Sequence, residues 1–522
     1  MENRRNRIKH ERDRRDWKRI TSMEELVTTV PGGGDPPWAM VYPASYEVGM
    51  ANIGFHYVAR MLKNLGVGVE RFFTGPGPCE RSLESNRRAG DFPVITASIA
   101  FEPDIPVLLS LLDRWNVPAG WKARCDSGGP LLGVGGALTY INPLSLAGAA
   151  DFIVLGDGEK VLETVVAPAV RDYCRNSDRT RFWETLAANP AVFVPPVELH
   201  EIARRGNLSK RRNYLDNIDQ AGGKSLWLTP LTAFGKSLLL EVQRGCVRCC
   251  KYCTIPGSFG KPRFRSMDSI RKDIDSMAGI QHASGSPQVG LVSPELGDYP
   301  ELDTLLAALT QRGFPVSFAS LRVDNLTPMM LDTLAASGKQ SLTIAPETGT
   351  DSLRLSCGKP IGNETILEKL KLASEHGLKR VKMYFMIGLP GEDETDVVSI
   401  ADLADEAARV SGLRVTASVS IFVPKPGSVW HDRRFCGLAS AKNRILLLRK
   451  AFAGKKTVME LKTPSPNEAL EEYILAWADS GLIDPDTEAK KLAFKTMSPP
   501  DSARVEDQLS SLGYATGFSR AR

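Results

Sequence analysis

The stretch EVQRGCVRCCKYCTIPGSFG, residues 241–260, decides how the rest of the chain is read. Three of its cysteines, Cys246, Cys250 and Cys253, are spaced C-x3-C-x2-C, with Tyr252 just before the last. A loop this tight can offer three thiolates to one cube-shaped iron–sulfur cluster, leaving the fourth iron without a protein ligand. Four thiolates are usual where a cluster only carries electrons. Cys249 is the candidate fourth, but its neighbour is Cys250, and adjacent thiolates are poorly placed for separate corners of one cube. The plainer alternative is zinc, since the loop contains two C-x2-C pairs. Structural zinc sites, however, bring such pairs from separate turns.

Around this loop the sequence alternates strands and helices. Strand candidates are SLLLEVQRG (237–245), QVGLVSPE (288–295), PVSFASLRVD (315–324), QSLTIAPET (340–348), RVKMYFMIGLP (380–390) and LRVTASVSIFVP (413–424). Between them lie segments with apolar residues at i, i+3 and i+4, the pattern of a helix with one buried face. Six such strands predict a partial (β/α)6 TIM-like barrel over 233–430, in which chemistry sits on loops at the carboxyl ends of strands. The cysteine loop follows the first of them. After Pro426 the strands stop, and 431–522 read as a small helical region with a polar tail.

The amino-terminal half predicts a second α/β unit over 31–175, a Rossmann-like, doubly wound parallel sheet. Its strand candidates are WAMVY (38–42), PVITASIA (93–100), PLLGVGG (130–136) and DFIVLGDGE (151–159), with a helix over 49–65. Two of these strands end in glycine-rich turns, where ligands bind in such folds. Residues 176–232 are polar and read as an irregular linker whose basic stretch, RRGNLSKRRN (204–213), is a solvated face.

Composition bounds the function. The chain has 522 residues, 42% of them hydrophobic and 24% charged, enough for real cores in several domains. The net charge is only +5, and nine Lys/Arg against four Asp/Glu in the first twenty residues account for it. The remainder is near neutral, so no general nucleic-acid surface is implied; residues 1–30 read as a basic, solvated tail. No apolar run approaches the ~20 residues of a membrane span, and the first residues lack the apolar core of an export signal. The chain is therefore expected in the cytoplasm, where nine cysteines do not make a disulfide framework.

Taken together, the cysteine loop and the strand series resemble the radical S-adenosylmethionine (radical SAM) superfamily. Members hold a [4Fe–4S] cluster on a C-x3-C-x2-C loop after the first barrel strand and bind SAM at the open iron. The resemblance implies that Cys246, Cys250 and Cys253 are both the metal ligands and the catalytic centre. It also implies SAM contacts. Tyr252 belongs to the loop. Ser293, after the second strand, is placed to receive the methionine ammonium. Arg322 is matched to the methionine carboxylate, and Glu347, in APETGTDSLR (345–354), to the ribose and methionine end. Gly388 and Pro390, in IGLPGE (387–392), lie near the adenine. For Arg322 and Glu347 the plainer reading is an ion pair at a strand end. VPKPGS (423–428) resembles a segment found at the sixth strand in one branch.

VYPASYEVGMANIGFHYVARMLKNLG (41–66) and GVGGALTYINPLSLAGAADFIVLGDGEK (133–160) resemble the cobalamin-binding domain that precedes many such barrels. Gly135, Gly136, Gly156 and Glu159, with Asn142 nearby, would then face the corrin. There is no D-x-H-x-x-G, so cobalamin would receive no histidine from this chain; His56 lies in no such motif. The expected function is an oxygen-sensitive radical SAM enzyme that functionalises an unactivated C–H bond, with methyl transfer if cobalamin binds. It would need an external one-electron reductant of flavodoxin or ferredoxin type. Two alternatives are a methylthiotransferase acting on tRNA and a non-enzymatic iron–sulfur or corrinoid carrier. Cys357 reads as inert packing before it reads as a hydrogen-atom donor, and Cys79, Cys125, Cys174 and Cys436 are isolated.

Overall fold

The computed structural model describes residues 18–75, 81–205, 210, 212–277, 280, 286–478 and 482–483. Most of the basic tail, Cys79, half of RRGNLSKRRN and the polar tail after 483 lie outside these. The first sheet has six strands: β1 (Pro37–Ser45), β2 (Gly68–Thr74), β3 (Val94–Ser98), β4 (Leu131–Gly135), β5 (Phe152–Val154) and β6 (Val192–Phe193). Their order is β2-β1-β3-β4-β5-β6, parallel except for the last pair. Both faces are covered, which is why β1 reads as an unbroken apolar run. Trp38, Met40 and Tyr42 enter one core while Ala39 and Val41 enter the other, as the two-residue period of a strand requires. The chain leaves β1 for β2 on one side and returns to β3 on the other. The carboxyl ends of β1 and β3 therefore form the topological switch point, where such sheets open a crevice.

Two strands of this sheet are not apparent in the sequence. β2 carries Arg71 inward, almost fully buried, with its guanidinium on Glu24 at 2.7 Å and on Glu84 at 2.5 Å. Charged residues there hide the strand's pattern. β6 belongs to 176–232, which is not an irregular linker. That segment also contains helices Arg179–Ala187 and Pro195–Arg205, and strand Trp227–Leu228 paired antiparallel with Glu25–Leu26. Asp178 caps the first of these helices by accepting from Arg181 N.

The second unit is an open barrel of parallel strands. β7 (Ser237–Glu241), β8 (Gln288–Val292) and β9 (Val316–Phe318) pair in the order β9-β8-β7. β10 (Ser341–Glu347), β11 (Arg380–Ile387), β12 (Arg414–Ile421) and β13 (Glu460–Lys462) pair in that order. A Leu321–Ile344 bridge joins the two groups. Val381, Met383, Phe385 and Ile387 of β11 are buried in the main core and alternate with half-buried Lys382, Tyr384 and Met386. β13 corrects the expectation that strands stop after Pro426: with helix Leu438–Ala453 it adds one more β/α unit.

The last described segment returns to the first unit. Helix Pro466–Ala476 is followed by Ala478, and Asn142 Nδ2 donates to the carbonyls of Ala476 at 3.0 Å and Ala478 at 2.7 Å. Leu475 and Ile483 complete one of the first unit's cores. Lys425, at the end of the barrel, bonds Glu102 of the first unit at 2.7 Å and Glu472 of this helix at 2.6 Å. Among the described residues no helix is long and apolar enough to cross a membrane.

Candidate active site

The cysteine loop is held at both ends and from two sides. Gln243–Arg244 pairs antiparallel with Arg263–Phe264, closing the segment into a long hairpin. Gly245 and Gly260 take positive φ at its shoulders, +72° and +74°. Lys251 N donates to the Cys357 carbonyl at 2.9 Å, and Trp430 N donates to the Lys251 carbonyl at 2.9 Å. Cys250 is buried, Cys246 and Cys253 are half-buried and Cys249 is exposed. Burial pushes the Cys246 thiol up and that of Cys253 up to about 11, the neighbouring thiols adding to both. A bound cation reverses that logic by favouring thiolate. Among the described residues no three His, Cys, Asp or Glu side chains converge on a point that would hold one ion. Three thiols on one short loop, Cys246, Cys250 and Cys253, are the donor set that an iron–sulfur cluster takes. The loop therefore fits a cluster.

Of the predicted SAM contacts, Arg322 and Glu347 reach this loop, and Tyr252 and Glu347 are bonded to each other, while Arg322, Ser293 and Gly388 are paired elsewhere. Arg322 is buried, donates to Asp324 at 2.9 Å and brings Nη1 to 4.0 Å from Cys250 Sγ. Glu347 accepts from Lys359 Nζ at 2.8 Å and from Tyr252 Oη at 2.8 Å. The ion-pair reading thus holds for both, yet both flank the cysteine loop. Glu347 also has φ +70°, uncommon for a residue with a side chain and typical of functional positions. Burial and Glu347 hold the Tyr252 phenol well above its usual range. Ser293 donates to Gln243 Oε1 at 2.7 Å. Gly388 takes φ +79°, where a Cβ would lie 2.7 Å from Cys436 Sγ, and its N–H donates to Glu392 at 2.6 Å. Pro390 is half-buried in the same turn.

Between the carboxyl ends of the two sheets lies a cavity of about 500 Å³. Its floor is the switch point of the first sheet and its roof is the end of β7 and β8. Gly135, Gly136, Gly156, Glu159 and Ser293 line it. Gly136 and Gly156 are required by their own backbone: φ is +102° and +87°, and a Cβ at Gly136 would lie 2.5 Å from Ile99 O. Gly135 is different. A Cβ there would meet nothing within 4 Å, so the space beside it is the cavity itself. The cavity is mostly apolar and has a wall of bare glycine backbone. Asn142 is not among the lining residues, because its amide is used by Ala476 and Ala478.

A charge network that sequence reasoning missed lines part of the cavity. Asp157 accepts from Arg244 at 3.0 Å, from Leu215 N at 2.7 Å, and from Arg263 and Tyr140. Arg244 also bonds Glu159 at 2.6 Å and Glu241 at 2.8 Å, and Tyr57 Oη donates to Glu241 at 3.0 Å. Though burial opposes it, the arginines and Tyr140 hold the Asp157 carboxyl below its usual range. The acids are visible in GDGE and the arginine in EVQRG; that they meet is a property of the fold. His56 is a structural residue. Its Nδ1 accepts from Leu226 N at 3.0 Å, its Nε2 meets Met50 O at 3.0 Å, and burial lowers it to about 4. Cys357 is fully buried against Leu353, Leu389, Phe422 and Trp430, which pushes its thiol up to about 12. It supports the loop from behind.

Comparison with known proteins bears on the family. The Radical SAM superfamily model matches residues 240–404, and a model of the N-terminal part of radical SAM proteins matches 77–195. The uncharacterized protein MJ0966 of Methanocaldococcus jannaschii is 32% identical over 449 residues, 85% of this chain and 89% of that one. The ribosomal protein uS12 methylthiotransferase RimO of Pseudothermotoga lettingae is 26% identical over 180 residues, 32% of this chain and 41% of that one. Among solved structures, the cobalamin-dependent SAM radical enzyme OxsB with aqua-cobalamin bound superposes with TM-score 0.51 at 16% identity. That match covers 71% of this chain and 52% of that one, and it shows a shared fold.

Proposed function

Because the chain belongs to the radical SAM superfamily, we propose that it is a corrinoid-dependent member that transfers a methyl group to an unactivated carbon. When bound, the cluster and SAM supply a carbon-centred radical, and cobalamin supplies a methyl carrier. The single observation that favours the corrinoid is the cavity. It joins the switch point of the first sheet to the strand end that carries the cysteine loop, which puts both halves of the chain on one reaction volume. The likeness to a cobalamin-bound fold supports the same reading.

In this reading Cys246, Cys250 and Cys253 hold the cluster, and Cys249 is a bystander. Arg322, beside Cys250, presents a guanidinium that matches a carboxylate in two hydrogen bonds. Ser293 and Glu347 accept from an ammonium and from hydroxyls, and the Gly388–Pro390 turn offers backbone to a flat base. Gly135, Gly136 and Gly156 keep the first sheet's wall low, so that a broad ring lies against backbone. The Asp157 network lines part of the cavity with paired charges.

The test is anaerobic. Protein from cobalamin-fed cells is reconstituted with iron and sulfide and then given SAM and dithionite. The expected result is a corrin absorption spectrum in the purified protein and formation of 5′-deoxyadenosine. An intact cluster that forms no 5′-deoxyadenosine would refute the radical chemistry. Protein that carries no corrin under these conditions would refute the corrinoid part alone.

A further inference from the structure

The inner face of the barrel is not packed as barrels usually are. A closed TIM barrel fills its interior with bulky branched side chains. Here the outward side chains of the strands, such as Leu240, Ile344 and Met383, lie in the main core. The alternate positions face the lumen. In its middle rows they are small or polar: Gly290, Ser317, Thr343, Lys382, Tyr384 and Ser418, all half-buried. In register, Thr343 of β10 stands opposite Lys382 of β11, and Tyr384 of β11 stands opposite Ser418 of β12. These four side chains therefore occupy two adjacent rows of one surface.

Lys382 is the charged member. Its Nζ donates to Tyr384 Oη at 2.9 Å and lies 4.5 Å from the centre of that ring. Among the described residues it has no carboxylate partner. The other cations near the site are all paired: Arg322 with Asp324, Lys359 with Glu347, and Arg244 with Asp157. An acid on the same face as Lys382, Glu460 of β13, stands two strands away, about 9.5 Å at the usual strand spacing. It is held by Thr416 at 2.9 Å and Lys462 at 3.3 Å. The hydroxyls around the ammonium are also unspent. Tyr384 Oη accepts from Lys382, which leaves its own proton to donate. The Thr343 and Ser418 hydroxyls make no hydrogen bond among the described residues. A cation ringed by O–H donors, with no acid beside it, is a receptor for an oxyanion.

The receptor lies below the cysteine loop. Met386, two residues beyond Tyr384 on the same face of β11, packs against the cluster of Cys357 and Trp430, and so does Tyr252 of the loop. Across the lumen, Glu241 and Val292 at the ends of β7 and β8 line the cavity.

We infer that the barrel lumen holds the anionic end of the substrate, a carboxylate or a phosphate ester, on Lys382, Tyr384 and Ser418. That this guest is the substrate rests on the radical SAM reading, in which the reaction takes place at the cysteine loop; the anion site itself does not. A neutral substrate would leave the ammonium unpaired, so the site selects by charge.

Benzoate and phenyl phosphate serve as probes, with benzamide as the neutral control. Their binding to the cluster-loaded, oxidised protein is measured by calorimetry for the native protein, Lys382→Met, Lys382→Arg and Tyr384→Phe, and SAM binding is measured beside it. The native protein should bind at least one anionic probe and should bind benzamide at least about tenfold more weakly. Lys382→Met should weaken the anion at least about tenfold, Tyr384→Phe about threefold, and Lys382→Arg should keep most of the affinity. SAM binding should stay native throughout. The preferred probe tells a carboxylate from a phosphate ester. Failure of both anions to bind, binding that Lys382→Met leaves unchanged, or benzamide bound as tightly as benzoate would overturn the site. So would a parallel loss of SAM binding in Lys382→Met, which would give the ammonium to the carboxylate of SAM. Should Lys382→Met not fold, the retained affinity of Lys382→Arg and the loss in Tyr384→Phe decide instead. If the native protein forms no 5′-deoxyadenosine even with dithionite, the radical reading fails, and the probes still judge the anion site.

Discussion

The cavity wall and the surroundings of the cysteine loop make opposite use of polar groups. Along the wall the first sheet offers glycine and apolar side chains, and Gly135 leaves open space. Around the loop the barrel offers charged side chains, and Arg322 and Glu347 are already paired with Asp324 and Lys359. The first arrangement suits recognition by shape, as the proposed corrinoid requires. The second keeps charges fixed in place before a small polar guest arrives, so that little reorganisation is needed on binding. The wall thus offers shape, and the loop's surroundings offer fixed charge.

The largest expected effect breaks the charged side. Cys250→Ala removes the buried thiol of the three, and iron analysis of the reconstituted protein should show loss of the cluster with 5′-deoxyadenosine formation at background. Next comes the shape side. Gly135→Leu should fold with native stability, because its Cβ meets nothing, yet cut corrin content by about tenfold or more, since a buried side chain of this size resists displacement. Visible spectra of variant and native protein from the same culture check this, with iron content unchanged.

The seam between the two regions comes third. Asp157→Asn leaves Arg244 and Arg263 without their shared carboxylate, and loss of one partner of a buried pair costs about 3–5 kcal/mol. Its folded acid constant lies below the ordinary value of 3.8. The stabilisation is therefore present above that value and lost as pH falls through the lower, folded one. Urea titrations between neutral and acid pH should show the native protein losing its advantage over Asp157→Asn at the acid end. The smallest effect is Cys249→Ala: cluster content and turnover should match the native protein, and a drop in iron would restore Cys249 as a ligand.

The parts legible in the sequence are those with local causes. The cysteine spacing, the six apolar barrel strands and the glycine turns are each written in a few consecutive residues. β2 was hidden because its buried Arg71 looks like a surface residue until Glu24 and Glu84 are placed beside it. β13 was hidden because Glu-Leu-Lys is too short and polar to carry a strand pattern. The site was legible to the level of segments, not partners. Glu159 and Gly156 were placed at the cavity, but Asp157, between them, is the charge hub, and its partner Arg244 lies 87 residues away. The family resemblance puts Asn142 near the corrin; its amide acceptors lie 334 and 336 residues further on.

That last separation has a consequence for biosynthesis. A ribosome makes the first sheet early, and domains tend to fold as they emerge. Here the nascent first domain lacks Leu475, Ile483 and the carbonyls that satisfy Asn142 until almost the whole chain has been made. Until then the part of the first unit's core that Leu475 and Ile483 cover stays open to water, and the Asn142 amide lacks its two carbonyl partners.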